Sequence, residues 1–184
     1  EYSPDGYLHL QFGLEVVDEE RLGGQLNFEG REKNPDNLYG IDIELSKVRI
    51  YSKLGYAFRK DPSKSLGWIN SATYFDQNTM FGFREYDGNM KSYYSNLIWQ
   101  TQLANPNHKL SSGLNFQYDN YSESFLGRGY LKEELVQGIF SQYTFSIPER
   151  LVFMTGLRAD MNSEYGLLFT PRIHFKYTIN DLYI

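Results

Sequence analysis

The sequence predicts an all-β fold, an antiparallel up-and-down meander of about eight strands forming part of a transmembrane β-barrel. Three observations carry that expectation. Aromatic residues make up 17 % of the chain, with sixteen Tyr and thirteen Phe, and such side chains pack on a pleated surface but lose rotamer freedom in a helix. Short polar breaks rich in Pro, Asn and Asp alternate with longer polar, Gly-bearing stretches. Between them, apolar and polar residues alternate with the period of a strand.

The breaks are Ser3-Pro4-Asp5-Gly6, Lys60-Asp61-Pro62-Ser63-Lys64, Asn105-Pro106-Asn107-His108, Ile147-Pro148-Glu149-Arg150 and Asn180-Asp181. Each holds residues that preset φ or hydrogen-bond their own backbone, so each reads as a tight hairpin turn. The longer stretches are about 18–38, 77–90, 122–131 and 162–167. In a meander, consecutive connections lie at opposite ends of the sheet, so this order puts the short turns at one end and the long loops at the other. Outer-membrane barrels share that habit.

The strands fall at about 7–17, 39–58, 65–76, 91–104, 109–121, 132–146, 151–161 and 168–178, with a ninth starting at 182. Alternation is clearest in 109–121. There Leu110, Ser112, Leu114, Phe116 and Tyr118 oppose Lys109, Ser111, Asn115, Gln117 and Asp119. In 151–160, Leu151, Phe153, Thr155, Leu157 and Ala159 oppose a face holding Arg158 and Asp160. Tyr51, Tyr56, Phe58, Trp68, Tyr74, Phe75, Tyr118, Tyr121, Tyr143 and Phe145 gather near strand ends, where amphipathic rings suit an interfacial girdle. Many strands exceed the usual five or six residues, as bilayer-spanning strands must. The alternative is a self-contained eight-stranded protein, either a small barrel or a soluble meander that binds a ligand or partner.

Charge and composition exclude other classes. The net charge is −5, the pI is about 5.2, and Lys and Arg are scattered singly, so nucleic acid finds no basic footprint. No apolar run approaches the roughly 18 residues of a spanning helix, which says nothing against barrel strands. There is no Cys, hence no thiolate chemistry. His9, His108 and His174 form no catalytic or metal constellation, and neither Asp18-Glu19-Glu20 nor Glu133-Glu134 has ordered calcium-ligand spacing. No catalytic residue, metal or cofactor is expected, and no enzymatic step.

The candidate ligand-binding residues lie in two of the longer stretches. "QNTMFGFREYDGNMK", 77–91, brings together Phe81, Phe83, Arg84, Tyr86 and Asp87, and 122–130 adds Phe125 and Arg128. Aromatic rings beside charged donors suit an amphipathic ligand such as a glycan or chelate. Read as a simple loop tip, Tyr86-Asp87-Gly88-Asn89 needs no ligand.

Three segments resemble the middle of a TonB-dependent outer-membrane receptor barrel of the Bacteroidota type. They are "YSKLGYAFRKDPSKSLGWINSATYFDQNTMFGFREYDGNMKSYYSNLIWQT" (51–101), "HKLSSGLNFQYDNYSE" (108–123) and "GLRADMNSEYGLLFTPRIHFKYTIND" (156–181). The resemblance covers about 48–178 and lies in the ordered series, not in any one motif. It implies outer-membrane localisation in a Gram-negative bacterium, contact with lipid, and uptake of a siderophore, cobalamin or glycan-like nutrient bound at external loops. It also implies a barrel of twenty-two strands with a plug, and TonB as a partner, in the full-length protein. On that reading 1–184 is a single β-barrel segment without the plug, both its ends look cut, and Arg158, Asp160, Arg172 and Lys176 lean to the lumen or rim.

Overall fold

Strand-period alternation and turn chemistry produce one sheet. The computed structural model describes residues 7–30 and 38–179, so the expected Ser3–Gly6 turn and the ninth strand from 182 lie outside the described residues. The strands are β1 (Leu8–Gly24), β2 (Gly40–Ala57), β3 (Ser65–Phe81), β4 (Arg84–Gln102), β5 (His108–Phe125), β6 (Arg128–Ile147), β7 (Leu151–Asn162) and β8 (Gly166–Tyr177). They pair antiparallel in chain order, β1 to β8, in a single eight-stranded sheet. The sheet is open, with β1 and β8 as its edges.

The turns follow local chemistry. Asp61 Oδ1 accepts from the Ser63 amide at 3.2 Å and Asn105 Oδ1 from the Asn107 amide at 3.0 Å, the self-capping these residues provide. In Ile147-Pro148-Glu149-Arg150 the Arg150 amide closes on the Ile147 carbonyl at 3.1 Å. Asn162 Oδ1 accepts from the amides of Glu164 and Tyr165 at 2.8 and 3.2 Å. Gly166 then takes φ 73°, the left-handed residue that completes a three-residue hairpin loop.

At the other end the expected long loops are mostly strand. β3 runs to Phe81 and β4 starts at Arg84, leaving a turn at Gly82-Phe83; β5 and β6 are joined by Leu126-Gly127. Both residues of the second turn have positive φ, 52° and 74°, as two-residue hairpins demand. Only the β1–β2 connection, residues 25–39, is long. Residues 77–81, 84–90, 122–125 and 128–131 carry polar residues on both faces, so they show no regular apolar alternation, yet the backbone ladder continues through them. Tyr86-Asp87-Gly88-Asn89 is thus not a loop tip. It lies inside β4, and Gly88 leaves room for the Tyr86 ring, whose hydroxyl would meet a Cβ there at 2.8 Å. With 17 to 20 residues in each of β1–β6, these strands measure about 55–65 Å, well beyond a hydrocarbon core of about 30 Å even when tilted.

Burial is inverted relative to a water-soluble protein. Among the described residues no hydrophobic side chain is buried, whereas Thr79, Asn115, Asp119 and Asn162 are. These four share one face, with Arg158 and Asp160, by strand parity and register, while Asp42 and Thr101, also buried, lie on the other near its two ends. The opposite face carries Phe12, Leu14, Ile50, Ile139, Ile173 and Phe175, with Phe12 72 % and Ile173 76 % exposed. Among the described residues no strand packs over either face, and only Phe28 and Gly30 of the β1–β2 connection lie against the sheet, beside Gly40, Leu22 and Asp42, so the difference means that polar side chains converge, as on the inside of a curved sheet.

Glycines admit large rings on that inner face. Tyr51 lies across Gly13, its cross-strand partner, with its hydroxyl 2.5 Å from where a Cβ would sit. Phe140 lies across Gly113, where a Cβ would meet Phe140 Cζ at 2.6 Å and crowd the Leu97 carbonyl. Tyr51, Phe75 and Tyr121 therefore face inward and do not join an outward girdle.

Gly113→Ala is expected to lower stability by about 1–3 kcal/mol through overpacking against a backbone oxygen that cannot move aside. Gly129→Ala, with nothing within 4 Å, is expected to be neutral or slightly stabilising. Urea unfolding of both variants checks the contrast.

Candidate functional site

Two surfaces are candidates: the apolar face and the polar rim at the β3–β4 and β5–β6 turns. Register builds the first. Leu10, Leu54, Trp68, Leu97, Leu114, Ile139, Ala159 and Phe169 pair in succession across all eight strands. Every position in this cross-strand row is apolar. The Trp68 indole donates to Ser95 Oγ at 2.9 Å on the same face, so the one polar atom of that ring is satisfied.

The upper margin of this apolar zone is oblique. On β1–β3 it ends at Val16, Val48 and Tyr74 and on β4–β6 at Tyr93, Tyr118 and Leu135, one step lower; β7 and β8 themselves run into their turn just past Met161 and Leu167, one step lower again, and Ser52, Asn70, Ser95 and Gln137 interrupt the zone on the same face. Above it on the same face stand Asp18, Ser46, Asp76, Lys91, Asn120 and Glu133. Two steps are four residues, about 13 Å along the strand against about 34 Å across seven strand spacings, a slope of about 20°. A flat apolar slab crossed by tilted strands leaves such a diagonal margin. Tyr74, Tyr93 and Tyr118 lie along it.

The rim collects most of the expected ligand-binding residues. Phe81, Arg84, Tyr86, Phe125 and Arg128 all share the polar face, and Tyr86, Phe125 and Arg128 are consecutive partners in one row. Phe83 is in the turn, 69 % exposed. Asp87 is separated from them. Its parity places it on the opposite face, where Asn78 Nδ2 donates to its Oδ1 at 2.5 Å. Arg84 and Arg128 have no ion-pair partner among the described residues. The Tyr86 hydroxyl donates to Glu123 Oε1 at 2.9 Å. Glu123 was not among the expected residues, although it shares the parity of Phe125 two positions on, which is the signal that finds it. Burial, and secondarily the Glu123 carboxylate, holds the Tyr86 phenol above its ordinary value. The rim thus presents aromatic faces, two guanidiniums without an ion-pair partner among the described residues, and a carboxylate-bonded phenol, a set able to bind planar, oxygen-rich solutes.

Elsewhere the polar face is knitted by pairs. Lys132 bonds Glu134 at 2.9 Å, and Asn162 Nδ2 donates to Glu134 at 2.8 Å. Lys47 bonds Glu15 at 2.7 Å. On the opposite face, His108 begins β5 and does not lie in the turn; its Nδ1 is 2.5 Å from the Tyr143 hydroxyl and its ring centre is 4.9 Å from that of Phe145, tilted by 36°. Among the described residues no group of three or more His, Asp or Glu is placed to hold a metal ion.

No family model, curated protein or solved structure matches this chain.

Because the neutral phenol is the favoured form, the contribution of Tyr86 is complete below its ordinary pKa and is lost as pH rises through the elevated one. The difference in tyrosinate absorbance between the protein and its Tyr86→Phe variant is expected to show one step above pH 10. Glu123→Gln is expected to move that step down only in part, since burial is the larger cause.

Proposed function

We propose that this chain is a wall segment of a TonB-dependent outer-membrane receptor, taking up a scarce nutrient such as a siderophore, cobalamin or glycan. Its apolar face meets lipid, and its polar face lines the lumen. The observation that carries the reading is the oblique apolar margin on a sheet whose exposed face is oily and whose crowded face is polar. In water an uncovered apolar face of this extent is an association liability; in a bilayer it is the surface that dissolves. The ordered resemblance over about 48–178 supports the family. The strand extensions beyond the apolar zone support a solute-facing rim at Tyr86, Phe125 and Arg128, where the nutrient first binds. The plug and TonB act with the full-length protein. A soluble meander is the weaker alternative, because it would need its apolar side chains on the crowded face.

Fractionation of the native gene product tests the assignment. Recovery in the outer membrane at a mass several times 21.5 kDa is expected; a soluble product overturns it. Face assignment is tested along one strand, β6. Ile139→Arg, on the lipid side, is expected to destabilise the inserted barrel by about 2–4 kcal/mol, while Gln137→Arg, nearer the margin of the same face, costs less and Gln142→Arg on the polar face costs little. Equal penalties at Ile139 and Gln142 would sink the lipid-facing assignment.

A further inference from the structure

A hollow on the polar face lies well below the rim, toward the short-turn end. Its floor is Gly156, which brings no side chain into it. In its own row Gly156 is flanked by Gln142 on β6 and Arg172 on β8. In the row above stand Phe140, Arg158 and Thr170, paired in succession. With Asn96 these residues line a cavity of about 330 Å³, within the range of small-molecule sites.

The chemistry of the lining is specific. Phe140 is laid over Gly113, which places a fixed aromatic ring beside the hollow. Arg158 Nε donates to Asp160 Oδ2 at 2.6 Å. That bond orients the guanidinium and leaves its terminal nitrogens to donate elsewhere. Asp160 Oδ1 is turned the other way, into the space over Gly138. Arg172 has no ion-pair or hydrogen-bond partner among the described residues. Two guanidiniums and one carboxylate leave the hollow with a net positive charge, and Gln142 and Thr170 add neutral hydrogen-bonding groups.

We propose that this hollow binds a small oxyanion-bearing solute, a carboxylated or phosphorylated polyol, with Arg158 and Arg172 on the anion and Phe140 against the apolar side of its carbon skeleton. The site needs only a wet polar face, so it stands apart from the transport reading and from the rim.

The test is calorimetric titration of the full-length protein in detergent with inorganic phosphate and with citrate, at about 0.15 M salt to screen diffuse attraction. Saturable binding of at least one probe is expected. Arg172→Gln or Arg158→Gln is expected to weaken it about tenfold or more, the loss of one charge-assisted contact. Lys176→Gln removes the same charge from the same strand and face outside the hollow and is expected to leave affinity within about twofold. Gly156→Leu fills the floor and is expected to abolish binding. Gly156→Ala, whose methyl would meet the Ser141 carbonyl at 3.1 Å and Gln142 Cβ at 3.3 Å, is expected to weaken binding with little effect on folding. Failure of both probes to saturate, an equal loss in Lys176→Gln and Arg172→Gln, or full affinity in a folded Gly156→Leu variant would overturn the proposal.

Discussion

The backbone ladder between neighbouring strands is the interaction on which everything else here rests. Each paired residue fixes the parity of its partner, so a side chain placed outward on β1 places one outward on every strand through to β8. A slip of one residue at any pair would reverse every later strand and put Leu114 or Ile139 among Asn115 and Asp160. The two faces are thus a collective property. Trp68, Leu97 and Leu114 define a surface only because two ladders hold them level. The same holding brings Tyr86, Phe125 and Arg128 together from three strands.

With no buried apolar core among the described residues, cohesion comes from the ladder and from contacts between neighbours on each face. Tyr51 shows how one position does several jobs. Its ring covers Gly13, shielding backbone that a glycine leaves bare, and the Arg49 guanidinium and Lys53 ammonium each lie 5.8 Å from its centre, where the ring face attracts cations. Glu15 in turn receives Lys47 at 2.7 Å and Arg49 at 3.6 Å. Glycine makes space, an aromatic fills it, and charges settle around the ring.

Much of this was legible in the sequence. Where one face is oily and the other wet, as in 109–121 and 151–160, period-two alternation located strand and face together. Where both faces are polar, the signal vanished although the strand continued. The ladder needs only N–H and C=O groups, and outside an apolar environment no side-chain pattern is imposed on it. The stretch containing Asn78, Asp87, Gly88 and Asn89 was accordingly read as loop. Composition alone also misread Gly88, which is a clearance for Tyr86 and not a turn residue. Of the candidate ligand-binding residues, parity would have separated Asp87 from Tyr86 once 84–90 was known to be strand. The diagonal margin and the hollow over Gly156 depend on register across several strands, which no local window of sequence contains.

The meander order has a kinetic meaning. Every ladder joins strands adjacent in the chain, several through turns of only two or three residues such as Gly82-Phe83 and Leu126-Gly127, so closing each one costs little loop entropy. The sheet can grow by accretion, each hairpin templating the next strand on the edge just made, with no distant segment required to arrive first. At every stage a row of unpaired amides and carbonyls stays open at each end of the sheet, on β1 and β8 among the described strands, until those two rows are capped or meet further strands.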